Sequence, residues 1–341
     1  MNTPRILKKT AIALAVLVLA GCATVNISES VDQTNQELNG FTNGKLSLVQ
    51  TDEQRQAMAS KASEILKEPL SQAAAVELML THSPQFQTVL AENWAQAAQA
   101  AQSGRIHNPV FAFERLRIKD ELELGRLLSF GLLDLLSFPA RQGIARTQID
   151  RAQLQLTSSV VDQVTQVRQA WVDAVAAQQA HTYAQQVFES AQTSAELARR
   201  MQEVGNFTRL QRARQQSFYA DAALNLAATR HKATATREAL VRMLGLNTEQ
   251  AAQLKLPDRL PDLPEAPKAA SDVAKQGENR LDIRMAKQGF DANAKAQGLG
   301  NVASFLDIEA GIRYDTIFEN DTGERNNKKG YELELALPIF D

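Results

Sequence analysis

A single cysteine, Cys22, rules out any disulfide within the chain. Aromatic residues are scarce at 6%, although apolar residues reach 44%. Much of that apolar share is alanine, which lets helices approach closely without a thick core. Histidine is rare and dispersed: His82, His107, His181 and His231 lack the ligand spacing that zinc or copper needs. No phosphate-binding glycine loop and no nucleophile elbow occurs. Carboxylates are plentiful but fall on helix faces, so no acid–base pair stands out. No catalytic residue, metal ligand or cofactor is therefore expected, and an enzyme is not. Charge of one sign is also missing: the formal net charge is −2, which gives no reason to expect a nucleic-acid partner.

Glycine and proline nearly vanish from one stretch. Between Pro139 and Leu244 the only glycines are Gly143 and Gly205, and no further proline occurs. The stretch reads as two long helices joined at Val204-Gly205-Asn206-Phe207-Thr208. Val160, Val164, Val167, Trp171 and Ala174 follow the 4,3,4,3 spacing of a coiled-coil seam. The seam slips near Ala184 and resumes as Val187, Ala191, Ser194, Ala198 and Met201. The returning helix carries Leu210, Ala213, Ser217, Ala220, Leu224 and Ala227, then weakens to His231. An arm from Ala140 to Val204 would be roughly 97 Å long, more than an ordinary globular domain needs. At the tip, Gly205 suits a left-handed helix end, Asn206 tolerates a turn and Thr208 can cap the next helix. Phe207 either plugs the two helix ends or meets a partner, and Val204 and Leu210 flank it as docking candidates.

No apolar run is long enough to cross a membrane as a helix. The longest at the N-terminus, Ala11 to Ala20, is too short. It follows basic Arg5, Lys8 and Lys9 and ends in Leu19-Ala20-Gly21-Cys22. This pattern resembles a bacterial lipoprotein signal, in which the cysteine becomes the lipidated first residue. Ala23, rather than aspartate, then favours the outer membrane by the same resemblance. Loss of residues 1–21 would remove three cations and no acids, making the chain more negative.

The rest divides by composition. Residues 22–70 read as a linker leading to a short helix near Glu53 to Lys67. Residues 71–109 hold a helix over Ala73 to Thr81 capped by Ser71, then another from Pro84 to about Ser103. Residues 110–136 read as a strand hairpin, Val110 to Ile118 and Leu124 to Leu133, turning at Lys119-Asp120-Glu121. Phe138-Pro139 opens the helical hairpin of residues 137–245. Residues 246–278 are a proline-rich connector, and residues 279–303 resume a helix. Residues 304–341 form a second hairpin, then break off. There Leu306, Ile308, Ala310, Ile312 and Tyr314 alternate with Asp307, Glu309, Gly311, Arg313 and Asp315, and Tyr331, Leu333, Leu335 and Leu337 with Glu332, Glu334 and Ala336. Strict period two suits a strand between lipid and water, and equally a half-buried strand of a soluble sheet. Tyr314, Phe318 and Tyr331 near the loop suit a membrane-interface girdle. Asp307, Glu309, Glu332 and Glu334 share the opposite side. They either bias a pore lumen toward cations or are simply solvated.

The order of elements also repeats. Ser83-Pro84-Gln85-Phe86, an alanine-rich helix and Asn108-Pro109-Val110-Phe111 are echoed by Arg280-Leu281-Asp282-Ile283, another such helix and Phe305-Leu306-Asp307-Ile308. The second repeat stops at Pro338-Ile339-Phe340-Asp341, where its own long helices are expected, so the chain reads as C-terminally truncated.

With Ala98 to Pro109, Leu132 to Arg141, Glu203 to Leu210 and Leu335 to Asp341 in this order, the chain resembles the TolC-like outer membrane factor family of efflux and secretion channels. The resemblance implies a mainly α fold with a β part. Antiparallel coiled-coil helices would form an α-barrel tunnel in the periplasm, and the two hairpins would give four strands to a trimeric outer-membrane β-barrel. It further implies a passive, lipid-anchored export duct in the bacterial outer membrane. As a homotrimer it would dock a periplasmic adaptor at its helix tips and work with an inner-membrane pump. With the second helical repeat incomplete, no gating residue is assigned. The alternative is a periplasmic adaptor or structural coiled-coil lipoprotein, which should flank its hairpin with glycine-rich β modules.

Overall fold

A computed structural model describes residues 25–42, 45–49, 51–119, 121–263, 280–303, 307–319 and 321–336, with side chains of 298–303 and 307 left out. Cys22 and Leu337 lie outside the described residues. Contacts divide the chain into two units: 28–92 with 156–277, and 93–155 with 278–341 plus the N-terminal segment.

The first of these is helical. It contains α1 (Ile27–Glu37), α2 (Asp52–Ile65), α3 (Gln72–His82) and the start of α4 (Pro84–Ser103). Most of α5 (Leu132–Glu203), α6 (Arg209–Leu244) and α7 (Thr248–Gln253) complete it. The sequence treats the region of α1 as linker; the structure corrects this, because short polar helices leave little hydrophobic period. Thr51 and Gln54 build a capping box that starts α2. Ser71 caps α3, its hydroxyl accepting from the Ala74 amide. The core gathers Val76, Met79 and Leu80 of α3, Phe86 and Leu90 of α4, Leu156 and Val160 of α5, and Leu240 and Leu244 of α6. Buried Trp171 donates its indole N–H to the Leu70 carbonyl at 2.7 Å, while the Leu70 amide donates to Lys255 O. Arg168 lies over the Phe41 ring and donates to its carbonyl. Gly245 ends α6 at φ 70, and a Cβ there would collide with Pro84, so glycine is needed twice over.

The seam of α5 is buried at Val160, Val164, Val167, Trp171 and Ala174, as its spacing predicts. Its irregularity lies elsewhere than expected. Ala177, Ala184, Ala191 and Ala198 are buried, with His181, Phe188 and Ala195 half-buried between them. The shift in phase therefore falls at Ala174–Ala177, and Ser194 is exposed. In an alanine-rich helix several faces carry nearly equal apolar weight. The correction is larger for α6. Leu210, Ala213, Ser217, Ala220, Leu224, Ala227 and His231 are all exposed. The side facing α5 instead carries Tyr219, Ala222, Leu226 and Thr229, with Tyr219 against Phe188 at 5.4 Å.

The second unit contains β1 (Val110–Ile118), β2 (Glu121–Gly131), the start of α5, α8 (Leu281–Ala303), β3 (Asp307–Glu319) and β4 (Arg325–Ala336). The strands form one antiparallel sheet in the order β1-β2-β3-β4. The repeat is visible directly: α4 leads to β1 and β2 as α8 leads to β3 and β4. Helix α5 begins at Leu132, not after Pro139 as expected, and Pro139 sits inside it. The run Leu132-Leu133-Asp134-Leu135-Leu136 is short and apolar, and such runs read equally as strand or helix. Among the described residues no helix is long and apolar enough to cross a membrane.

Candidate functional site

Two places collect the residues singled out by the sequence: the helical tip and the sheet. At the tip, α5 ends because Gly205 takes φ 82. The Asn206 amide then donates to Met201 O at 2.8 Å and the Gly205 amide to Gln202 O at 3.1 Å. This is the double closure of a helix end with a left-handed residue after it. Thr208 restarts the chain through a capping box: its hydroxyl accepts from the Gln211 amide, and its own amide donates to the Gln211 side chain at 2.8 Å. Arg212 reaches back to Gln202 at 2.9 Å, tying the two helices together. Beside the tip, Glu196 accepts from Arg199 and Arg200, and Arg199 also reaches Glu203. The hydrogen bonds from Arg199 and then Arg200 hold the Glu196 carboxyl down at about 2. Phe207 is half-buried. The outward apolar groups are Val204 and Leu210, 70% and 62% exposed.

The register of the sheet is continuous, so the faces follow from residue parity alone. One face carries Phe111, Phe113, Leu128, Phe130, Ile308, Ile312, Tyr331, Leu333 and Leu335, most of them exposed. Tyr314, Phe318 and Tyr331 lie on this face too. The other face carries Glu114, Glu121, Glu123, Glu309, Asp315, Glu319, Glu332 and Glu334, and the Asp307 side chain lies outside those described. Glu309 stands directly opposite Glu334, and Glu332 opposite Gly311. Like charges facing each other across a ladder are unfavourable in isolation.

Arg313, which the sequence reading did not single out, answers part of that charge. It contacts Asp315 at 2.9 Å, Glu114 at 3.3 Å and Glu332 at 3.6 Å. Gly125 leaves room for the cluster, since a Cβ there would press on Asp315 and Glu114 at 3.3 Å. The available signal was a lone arginine in a run of alternating carboxylates.

At the entry to α5 a second cluster fixes how strand becomes helix. Asp134, in the first turn, receives both His107 and Arg141, a favourable place for an acid. Arg141 also donates to the carbonyls of Ser103, the last residue of α4, and Arg105 just past it, at 3.1 and 2.8 Å. Among the described residues no group of His, Cys, Asp or Glu is arranged to hold a metal ion.

A long helical hairpin joined in sequence to hairpins of a sheet with one exposed apolar and one acidic face defines a class: the fold is that of the TolC-like outer membrane channels. Residues 122–246, from β2 to just past α6, match the family model described as outer membrane efflux protein. A solved membrane protein from Pseudomonas aeruginosa superposes with a TM-score of 0.60 at 20% identity, over 79% of this chain and 67% of that one. The outer membrane protein VceC from Vibrio cholerae gives 0.57 at 15% identity, over 84% and 71%. The Campylobacter jejuni CmeC outer membrane channel gives 0.57 at 14% identity, over 83% and 61%. These likenesses are of fold. A search of curated protein sequences gives no match.

Proposed function

We propose that this chain is a subunit of the outer-membrane channel of an efflux or type I secretion system, a passive duct without catalytic activity. One observation carries the reading: a four-stranded sheet whose outer strands each pair on one side only, with an exposed apolar face. In lipid every backbone group must be paired, so such a sheet needs partners. Three copies would close a twelve-stranded barrel, with Asp307, Glu309, Glu332 and Glu334 toward its lumen. The stripe from Leu210 to Ala227 supports the same assembly, because it has coiled-coil spacing and its residues are exposed among the described residues. The helices would stand in the periplasm, and Val204 to Leu210 would dock the adaptor that links the duct to an inner-membrane pump. Cys22 would carry the lipid anchor; labelled palmitate should enter the wild type and not Cys22→Ser.

The test is a matched pair scored for heat-resistant trimer in outer membranes. Leu333→Arg places a charge on the apolar face, at about 2–4 kcal/mol if it lies near the bilayer midplane. Glu332→Gln alters only the edge of the Arg313 cluster and should be mild. Trimer lost with Glu332→Gln and kept with Leu333→Arg would reverse the facing or remove the membrane strands.

A further inference from the structure

The sheet separates its charges by face more completely than solvation requires. On the carboxylate face, cations are mixed in: Arg313 and Lys328 stand among the acids. On the apolar face there are only cations, namely Arg115, Arg117, Arg126, Arg325 and Lys329, and no carboxylate. All five fall on the half of the strands toward the β1–β2 and β3–β4 turns. The half toward α5 and α8 holds exposed Leu128, Ile312 and Leu333 instead. Arg115, Arg117, Arg325 and Lys329 are exposed. Among the described residues no carboxylate pairs with them. Arg126 and Lys329 flank the Tyr314 ring at 5.8 and 5.9 Å, and Arg325 lies over Phe318 at 5.6 Å.

A face that is apolar at one end and whose charges at the other are all basic matches a boundary between hydrocarbon and anionic headgroups. We propose that the turn-side half of this face binds the phosphate groups of an anionic lipid leaflet, while the other half lies against acyl chains. The inference rests on the membrane-strand reading and adds the headgroup chemistry. Arginine presents a planar fork that matches phosphate oxygens. Long basic side chains lay their methylene stems along apolar surface and lift their charge to the interface. A phosphate-bearing leaflet fits better than an acidic protein surface, because the cations continue an apolar face rather than forming a separate patch.

The experiment uses the full chain in detergent, transferred to vesicles of phosphatidylcholine alone or of an equal mixture with phosphatidylglycerol, and read by flotation. Each cation near an anionic surface strengthens binding about fivefold, so four exposed cations acting together should favour the anionic vesicles by up to several hundredfold, about 5 to the fourth power, at low salt. Added sodium chloride should erode that preference in the wild type, with no variant needed. The combined variant Arg115→Gln, Arg117→Gln, Arg325→Gln, Lys329→Gln should lose the preference and keep its uptake by phosphatidylcholine. Lys328→Gln, one residue away but on the other face, should keep the preference. Equal uptake of the wild type by both vesicles would overturn the proposal while leaving the membrane strands standing. So would loss of preference in Lys328→Gln, or its abolition by inorganic phosphate at matched ionic strength, which would mark a free-anion site. Uptake by neither vesicle would sink the membrane-strand reading and this inference with it.

Discussion

Helices α5 and α6 carry apolar stripes of the same 4,3 spacing, yet one is buried and the other lies open. On α5 the stripe from Val160 to Ala174 is buried, with Trp171 bonded to the Leu70 carbonyl. On α6 the stripe from Leu210 to Ala227 faces away from α5, and Leu224 is 71% exposed. Period thus identifies a face that can be covered but not the chain that covers it. The same contrast recurs in the sheet, where strict alternation leaves Leu333 57% exposed. Contiguous exposed apolar faces are the surfaces by which proteins meet partners or membranes.

The sharpest way to break the comparison is to cut each stripe. Trp171→Ala should cost about 4 kcal/mol, since it opens a cavity and leaves the Leu70 carbonyl without its donor. Leu224→Ala should change the stability of the isolated chain by no more than about 0.5 kcal/mol but weaken oligomer formation. Urea unfolding and sedimentation measure the two effects. Equal loss of stability in both variants would mean that the α6 stripe is covered within one copy.

A middle-sized effect is expected at the tip between the two helices. Gly205→Val forces a β-branched residue into φ 82, at a cost of about 1–2 kcal/mol. Leu210→Asp should spare helix content and reduce crosslinking to an adaptor. Undiminished crosslinking with Leu210→Asp would remove the tip from the docking surface.

The smallest effect concerns pH. The Glu196 carboxyl is lowered from 4.5 to about 2 by Arg199 and Arg200. A depressed carboxylate contributes stability above its unfolded value and loses it as pH falls toward the folded one. Local opening at the end of α5, followed by hydrogen exchange, should therefore rise between about pH 4.5 and pH 2. Glu196→Gln should flatten that rise. A rise of the same size in Glu196→Gln would assign it to other carboxylates.

Much of this protein is local chemistry and could be read without a structure. Ser71, Thr208 and Gly205 mark helix ends because caps and left-handed turns involve neighbours only. The strand Val110–Ile118 and the helix Pro84–Ser103 have the bounds that their turn residues set. The alternation around Ile308 and Leu333 assigns sides, since a strand has only two. Other features depend on partners distant in sequence. The start of α5 at Leu132 rests on Asp134 meeting His107 and Arg141. The Arg313 cluster needs all four strands in one register, since Arg313 on β3 reaches Glu114 on β1 across β2 and Glu332 on β4. Which alanines of α5 turn inward, and which stripe of α6 stays open, follows from packing: alanine contributes too little contrast for one face to win on its own.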